Sequence, residues 1–520
     1  MMRKIFKISI CAFALVGLSG CYDKLNIADP NRLSSSQFYK TEDQAVAAVD
    51  AIYNTLIIDG LYQRMTPTMN DGRGDEISSR SPWGWFTGFS AFTIQPTDGA
   101  NDIAWAGYFI LVSRANQALE NLPTVPDLDK DLLNRLMGQA YFLRGLAYFN
   151  MANIYEKVPL ILAVPKGEEA FYPSNKDVTQ DQIYDQVQAD LDQAVALLPA
   201  DYSSVTGPDK GTVGRATLGA ALSLRGKLNL YRANYTAAAA DFKQVIESNK
   251  YSLNTDYTKL FTGDASLELA DPEKIFWAEF TDSNGSDYNW GGDPTVNWRQ
   301  FIAVTPTYSR NDFFDFYPTS FLYNEMRAEK TIDGKLDPRY HATILSYEPA
   351  EGDSMAYGAK WADKGYLPTD YFIKKFTLAA TGADPFRSGI NYPVVRYADV
   401  LLMYAECQAN TSNIPDAAKY VQIVRDRANL PDRESEFAAY SLDQFMTQLA
   451  HERIMELAIE GSRWNDIKRW GWLEDTNKLN ELKSHDFEFN TFTSTRKYMP
   501  IPQTDLDRNP NLTGNAANNK

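Results

Sequence analysis

Apolar residues recur every three or four positions along much of this chain, which is the spacing of one face of an α-helix. The pattern predicts helices over about 41–58, 102–122, 129–157, 179–198, 213–232, 235–249, 396–410, 414–429, 441–460 and 463–470. Thr41 fits the N-cap of the first helix, because its hydroxyl can accept a hydrogen bond from a free backbone N–H group. The pattern therefore indicates a mainly helical fold.

Two of the predicted helix pairs, over 213–249 and 396–429, have the form of a tetratricopeptide hairpin, and 129–198 is a looser third copy. Small residues on these helices let paired helices approach, and aromatic residues fill the grooves between pairs. One hairpin cannot bury its own apolar face, so we expect several to stack. The predicted tetratricopeptide-like helical-repeat scaffold covers about 41–58, 102–249 and 394–470.

The stretches 59–101 and 250–393 interrupt the helical pattern with Gly, Pro, Asp, Asn and aromatic residues. Short runs of strand composition lie in the second stretch, at Lys274–Phe280 and Tyr371–Thr377. The rings in the first stretch argue against disorder, so its length indicates a functional loop. Together the two stretches predict a loop-rich, ligand-binding part that carries short strands.

The N-terminus has the layout of an export signal. A positively charged start precedes an uncharged run over 8–22, which is shorter than the roughly 20 apolar residues of a membrane-spanning helix. The run ends in a small-small-Cys sequence at Cys21 that resembles the lipobox of bacterial lipoproteins. This resemblance implies cleavage before Cys21 and its lipidation, whereas the simpler alternative is an ordinary signal with a chance Cys. We predict a signal peptide over 1–20 and one mature domain over 21–520.

Charge and cysteine content narrow the function classes. The formal net charge is −16 at pH 7 and no local Lys/Arg cluster compensates for it, so the chain has no electrostatic basis for binding nucleic acid. Of the three cysteines only Cys407 would stay unmodified in the mature chain, which excludes an internal disulfide. Its helical surroundings predict a buried small side chain.

Catalytic and metal-binding patterns are weak. His341, His451 and His485 are the only histidines, and none has a partner at metal-ligand spacing. The chain has 67 acidic residues, so a pair of catalytic carboxylates like that of a glycoside hydrolase is an open alternative, but the sequence does not single out any one pair. A calcium loop over 282–293 departs from the EF-hand spacing, so a polar turn is the simpler interpretation. We predict a non-enzymatic protein without cofactor or metal.

Aromatic residues clustered in predicted loops indicate a carbohydrate ligand. A sugar has faces of C–H groups, which flat rings contact, and edges of hydroxyls, which Asp, Asn and Arg bind. The loops over 70–92 and 282–301 have this composition, although packing of a loop-rich subdomain is the alternative. The candidate ligand-binding residues are Asp75, Trp83, Trp85, Tyr288, Trp290 and Trp298.

Several runs resemble the SusD/RagB family of outer-membrane nutrient-binding lipoproteins, in family order across nearly the whole mature chain. They are the segment from Trp105 to Asn116, Ala140–Phe149 with Val158-Pro159-Leu160, Gly214–Thr217, Arg396–Glu406, Glu452–Trp470, and Met499–Pro502 with Asn509-Pro510.

This resemblance implies a tetratricopeptide-like scaffold with an irregular ligand-binding part. It also implies a lipid-anchored glycan-binding protein at the outer surface of the cell, which delivers oligosaccharide to a SusC-like TonB-dependent transporter. It places Asp75 in an acidic loop near the ligand and suggests that Arg463 and Asp466 form buried ion pairs. Peptide capture is an alternative within the family. Two alternatives outside a transport role are a glycoside hydrolase and a purely structural tetratricopeptide platform for protein partners.

Overall fold

The computed structural model describes residues 38–264, 271–281, 304–378 and 388–518. Its helices are α1 Glu42–Leu56, α2 Met65–Asp71, α3 Gly84–Ser90, α4 Gly99–Asn121, α5 Lys130–Tyr155, α6 Gln180–Leu197, α7 Leu218–Tyr231, α8 Tyr235–Glu247, α9 Val304–Tyr308, α10 Ser320–Glu325, α11 Pro338–Thr343, α12 Tyr397–Asn410, α13 Ile414–Arg427, α14 Glu434–Ala438, α15 Leu442–Leu457, α16 Arg463–Arg469, α17 Thr476–His485 and α18 Gln503–Arg508. Its strands are β1 Ile77–Ser79, β2 Lys274–Ala278, β3 Phe316–Pro318, β4 Ile344–Ser346, β5 Met355–Ala356, β6 Ala359–Lys360, β7 Tyr371–Ile373 and β8 Tyr392–Arg396.

Helical hairpins stack into one continuous scaffold. The pairs α5/α6, α7/α8 and α12/α13 each pack together, and α6 packs on α7 while α8 packs on α12. Helix α1 packs on α4, which in turn packs on α5 and extends the stack at the N-terminal side. Each hairpin thus buries its apolar face against the next, as a helical repeat requires. The predicted tetratricopeptide-like scaffold is confirmed.

Capping residues fix where several of these helices begin. Thr179 and Ser441 each form a capping box with the Gln three residues later, so two free N–H groups at each helix start are satisfied. Thr41 accepts a hydrogen bond from the N–H of Gln44, as expected for an N-cap. These local signals explain why the helices begin close to the predicted positions.

Short antiparallel strand pairs organise the irregular part, and one of them lies at its base on the scaffold. The pairs are β1–β3, β2–β8, β4–β7 and β5–β6. The two predicted strand runs are confirmed as β2 and β7. Strand β2 begins the insertion and β8 ends it, and their pairing places Lys274 opposite Arg396. The long insertion therefore begins and ends at one shared base on the scaffold.

The stretch over 59–101 is more ordered than the sequence pattern predicts. It contains α2, β1, α3 and a single π-helical turn at Asp59–Gln63. Phe86, Phe89 and Phe92 are buried in the protein core. Gly and Pro break the stretch into apolar runs too short to show a helical period, which is why it resembles a loop in sequence.

Charged residues of the C-terminal motifs lie inside the protein. Arg396 donates hydrogen bonds to the carboxylates of Glu273, Glu456 and Glu460 at the base of the insertion. The expectation that Arg463 and Asp466 form buried ion pairs is confirmed. Arg463 pairs with Asp75, and Asp466 pairs with arginines of α15 and α16.

One helical stretch in the described part of the chain, Glu42–Gln63, is long and apolar enough to cross a membrane by length and composition alone. It contains α1, whose apolar face packs against α4. Burial in the protein core accounts for its hydropathy.

Candidate functional site

The turn between β1 and α3 presents an exposed indole. The Ser81 hydroxyl donates a hydrogen bond to the Asp315 carboxylate and accepts one from the Trp83 N–H at 3.0 Å. The Thr87 hydroxyl donates to the Ser81 carbonyl at 3.0 Å. Burial raises the pKa of Asp315, and the Ser81 hydrogen bond offsets part of this rise. Because both sides of the turn are bonded, the backbone that carries Trp83 is fixed.

The two predicted tryptophans of this turn have different environments. Trp83 is 58% exposed, whereas Trp85 is half-buried against the core. Their ring centroids lie 6.1 Å apart with the planes inclined at 43°. Trp85 packs so closely on Gly99 that a Cβ atom there would lie 3.0 Å from its ring. Trp85 therefore supports the turn, and Trp83 presents its ring to solvent.

Beside this turn runs a row of three phenol rings with a guanidinium group at each end, here called the arginine–tyrosine row. Its members are Arg80, Tyr317, Tyr371, Tyr323 and Arg327. The Arg80 guanidinium lies 4.6 Å from the Tyr317 ring centroid, and that of Arg327 lies 5.0 Å from Tyr323. Tyr323 and Tyr371 stack with centroids 4.1 Å apart and planes at 13°. Strand β7 packs on β3, which brings Tyr371 beside Tyr317.

The row combines the two contact types expected for a sugar. Its tyrosine rings are half-buried and offer flat apolar surface, while the exposed Arg80 offers N–H donors. Sequence reasoning missed the tyrosines because they lie on β3, α10 and β7, which only the folded chain brings together. The one local pattern near these tyrosines was the strand composition around Tyr371, which predicts a strand but gives no indication of a ligand.

Asp75 occupies a structural position, contrary to its predicted ligand role. It is 0% exposed and accepts hydrogen bonds from Arg463 at 2.6 and 2.8 Å, and its carboxylate also contacts His485 at 2.7 Å. Burial alone would raise the pKa of Asp75, but Arg463 and His485 hold it well below its ordinary value. A buried, fully paired carboxylate cannot contact a surface ligand. The ligand assignment of Asp75 is therefore replaced by a structural one.

Two neighbouring carboxyl groups, of Asp71 and Glu76, are also buried. Asp71 accepts hydrogen bonds from the Gly461 N–H at 2.6 Å and the Tyr308 hydroxyl at 2.9 Å. Glu76 accepts one from the Ile459 N–H at 3.1 Å. Burial raises the pKa of Asp71 to about 7 and that of Glu76 to about 8. The segment before the exposed indole is thus bonded to the turn that precedes α16.

The remaining predicted site residues, Cys21, Tyr288, Trp290 and Trp298, lie outside the described residues, as does the candidate calcium turn over 282–293. Within the described ranges, no group of three or more His, Cys, Asp and Glu side chains is arranged to hold a metal ion. Cys407 is buried and unpaired there, as expected for a packed thiol.

Known proteins resemble this chain along most of its length. The SusD family model matches residues 272–517, and a model described as starch-binding and associating with the outer membrane matches residues 36–230. SusD-like protein P2 of Formosa agariphila is 25% identical, and the alignment covers 98% of this chain and 99% of the relative.

Solved structures show the same fold. A SusD superfamily protein from Bacteroides vulgatus aligns with a TM-score of 0.77 at 24% identity, covering 92% of this chain and 99% of the other. A laminarin-binding SusD-like protein aligns with a TM-score of 0.72 at 25% identity, with the same coverage. The two family models match most of the chain, and the relatives align over nearly their full length. The chain therefore belongs to the SusD-like family.

Proposed function

We propose that this protein is a lipid-anchored, surface-exposed glycan-binding protein, with Trp83 and the arginine–tyrosine row as its ligand surface. The observation that carries the proposal is an exposed indole on a fixed turn, beside flat phenol rings and guanidinium donors. A sugar face can pack on the rings while its hydroxyl edge accepts hydrogen bonds. The laminarin-binding relative makes laminarin the first ligand to test.

The same proposal includes the partner and the location. The description of one matched model as associating with the outer membrane supports that membrane as the site of action. The export signal ending at Cys21 supports a lipid anchor. The captured oligosaccharide would pass to a SusC-like TonB-dependent transporter, which is the partner that the family resemblance implies.

Burial of the two perturbed carboxyl groups favours binding over catalysis. Raised pKa values such as those of Asp71 and Glu76 are typical of general acids. However, each of these side chains is only 1% exposed and accepts a backbone N–H. They cannot reach a glycosidic bond in a surface ligand, so they support the fold.

The test is binding of the purified mature protein to a panel of oligosaccharides, including laminarihexaose, and of peptides. Trp83→Ala should weaken a glycan hit by about 2 kcal/mol, the loss typical of an anchoring Trp, or roughly 30-fold in Kd. The matched control is Phe171→Ala, since Phe171 is 65% exposed and lies outside the proposed surface. Phe171→Ala should bind like the wild type.

Three outcomes would contradict the proposal. Unchanged glycan binding by Trp83→Ala would show that the surface is wrong. Binding of peptides but of no glycan would favour peptide capture. Release of shortened sugars from a bound oligosaccharide would show a hydrolase.

A further inference from the structure

The two ends of the arginine–tyrosine row differ in charge. At one end the Arg327 guanidinium pairs with the Glu348 carboxylate and donates a hydrogen bond to the Tyr340 hydroxyl at 2.9 Å, so its positive charge is compensated. At the other end Arg80 is exposed and its guanidinium lies over the Tyr317 ring. Within the described ranges this guanidinium forms no ion pair or hydrogen bond. The row therefore has one neutral end and one cationic end.

Bonds on both sides of Arg80 fix its backbone. The Ser79 hydroxyl donates a hydrogen bond to the Asp315 carbonyl at 2.8 Å, and the Ser81 hydroxyl donates one to the carboxylate of the same residue. Tyr317 lies on the neighbouring strand β3, and its ring centroid is 4.6 Å from the Arg80 guanidinium. Because the backbone and the ring both hold this side chain, it loses little freedom when it binds a ligand.

The exposed polar groups at the cationic end are hydrogen-bond donors. A guanidinium has five N–H donors and an indole has one, and neither group accepts a hydrogen bond. Trp83, three residues after Arg80, presents such an indole to solvent. The Asp315 carboxylate beside them is buried and already accepts the Ser81 hydroxyl. A sugar hydroxyl both donates and accepts, whereas a carboxylate or sulfate group only accepts. This end of the row therefore suits an anionic group better than a hydroxyl.

The acidity of the whole chain does not prevent an anion from binding here. The formal net charge of −16 is spread over 520 residues. At physiological ionic strength the interaction between exposed charges is largely screened beyond about 8 Å, so the nearest groups decide the local attraction. The nearest free charge is the Arg80 guanidinium, whose planar set of donors matches two oxygens of an oxyanion at once.

We infer that the ligand surface takes an acidic glycan, whose carboxylate or sulfate group binds the Arg80 guanidinium. The following sugar rings pack on Tyr317, Tyr371 and Tyr323, toward the neutral end of the row at Arg327. The inference rests on the proposed function for the location of the site and the class of ligand. It adds the charge of the ligand and its direction along the row.

The experiment compares neutral and acidic hexasaccharides in calorimetric titrations of the purified mature protein. The neutral probes are laminarihexaose and galactohexaose, the uronate probes are hexagalacturonate and hexaguluronate, and the sulfated probe is a carrageenan hexasaccharide. At least one acidic probe should bind more tightly than both neutral probes, and the uronate and sulfate arms show which anionic group is recognised. The Kd of that probe should rise several-fold between about 0.05 and 0.5 M salt, because salt screens an exposed ion pair.

Three variants test the role of Arg80. Arg80→Gln keeps N–H donors and removes the charge, so it should weaken binding of the acidic probe about tenfold and reduce the salt dependence. Arg80→Lys keeps the charge without the paired donors, so it should restore part of the affinity. The matched control is Arg310→Gln, since Arg310 is also exposed and lies 4.9 Å from the Phe314 ring centroid, but is not a member of the row. Arg310→Gln should bind the acidic probe like the wild type.

Two results would overturn the inference. Acidic probes that bind no better than the neutral ones would show that the ligand is uncharged, and acidic binding that Arg80→Gln leaves unchanged would show that Arg80 does not contact the anionic group. In both cases a bound glycan that Trp83→Ala weakens still supports the proposed function, so the two failures are distinguishable. If the wild type binds none of the probes, the inference and the proposed function fail together.

Discussion

Replacing Asp75 by Asn separates a structural role of this residue from a ligand role. The change keeps the size of the side chain and removes its charge. In the protein Asp75 is fully buried and holds the guanidinium of Arg463 with two hydrogen bonds. Arg463 is itself buried, against the ring of Trp472 at 4.8 Å. Asp75→Asn therefore leaves a buried cation without its counter-charge.

The expected cost follows from this burial. Breaking a buried ion pair by removing one partner costs roughly 3–5 kcal/mol, because the remaining charge stays out of water. Asn still offers one acceptor oxygen to Arg463, so we expect a loss near the lower end, about 3 kcal/mol. Arg463→Met combined with Asp75→Asn should cost less than the sum of the two single changes, since the two side chains interact directly.

Urea unfolding followed by circular dichroism measures the loss, and glycan binding is measured on the folded variant. The matched control is Asp185→Asn, whose pair with Arg232 is exposed and should contribute less than about 1 kcal/mol. Asp71 and Glu76 still bond the segment before Trp83 to the turn that precedes α16. We therefore expect Asp75→Asn to unfold at a lower urea concentration while its folded form keeps its glycan affinity. An unchanged urea midpoint with lost affinity would refute the reasoning and restore Asp75 as a ligand residue.

Two further predictions concern pH and the anchor. Burial alone would lower the pKa of His451, but Glu325 and Glu329, at 2.7 and 3.3 Å, raise it from 6.5 to about 9. The pairs thus stabilise the fold fully below pH 6.5, and this stabilisation is lost as the pH rises through about 9. The difference in urea midpoint between the wild type and His451→Gln should therefore shrink between these two pH values. A difference that stays constant would contradict the assignment. Cys21→Ala should move the protein from the membrane fraction to the soluble one; unchanged fractionation would show that Cys21 is not the anchor.

Helices could be predicted where the sequence shows both the apolar face of the helix and residues typical of its ends. The helix predicted over 179–198 is observed at Gln180–Leu197, and in the structure a capping box of Thr179 and Gln182 fixes its start. The helix predicted from 213 begins only at Leu218. Gly214 has a left-handed backbone conformation, and Thr217 is the N-cap of the helix. These two residues set the helix start at Leu218, although the apolar pattern extends back to residue 213.

The site was less predictable because it depends on contacts between distant residues. Composition identified Trp83 and Trp85 together, but only packing against Gly99 distinguishes the supporting ring from the exposed one. The acidic character of Asp75 suggested a ligand contact, whereas its partner Arg463 lies 388 residues further along the chain. No local pattern carries information about such a pair.

These contacts give the acidic segment over 71–76 a structural role beside the proposed ligand surface. Its three buried carboxyl groups are bonded to the turn over 459–463, two through backbone N–H groups and one through a guanidinium group. The bonds hold the chain just before Trp83, whose own turn is bonded on both sides. A side chain that must be ordered during binding costs roughly 0.5–1.5 kcal/mol, so fixing its backbone beforehand conserves affinity. In the proposed function, the acidic segment favours binding by positioning the ring, and the ring and the arginine–tyrosine row are the groups that contact the ligand.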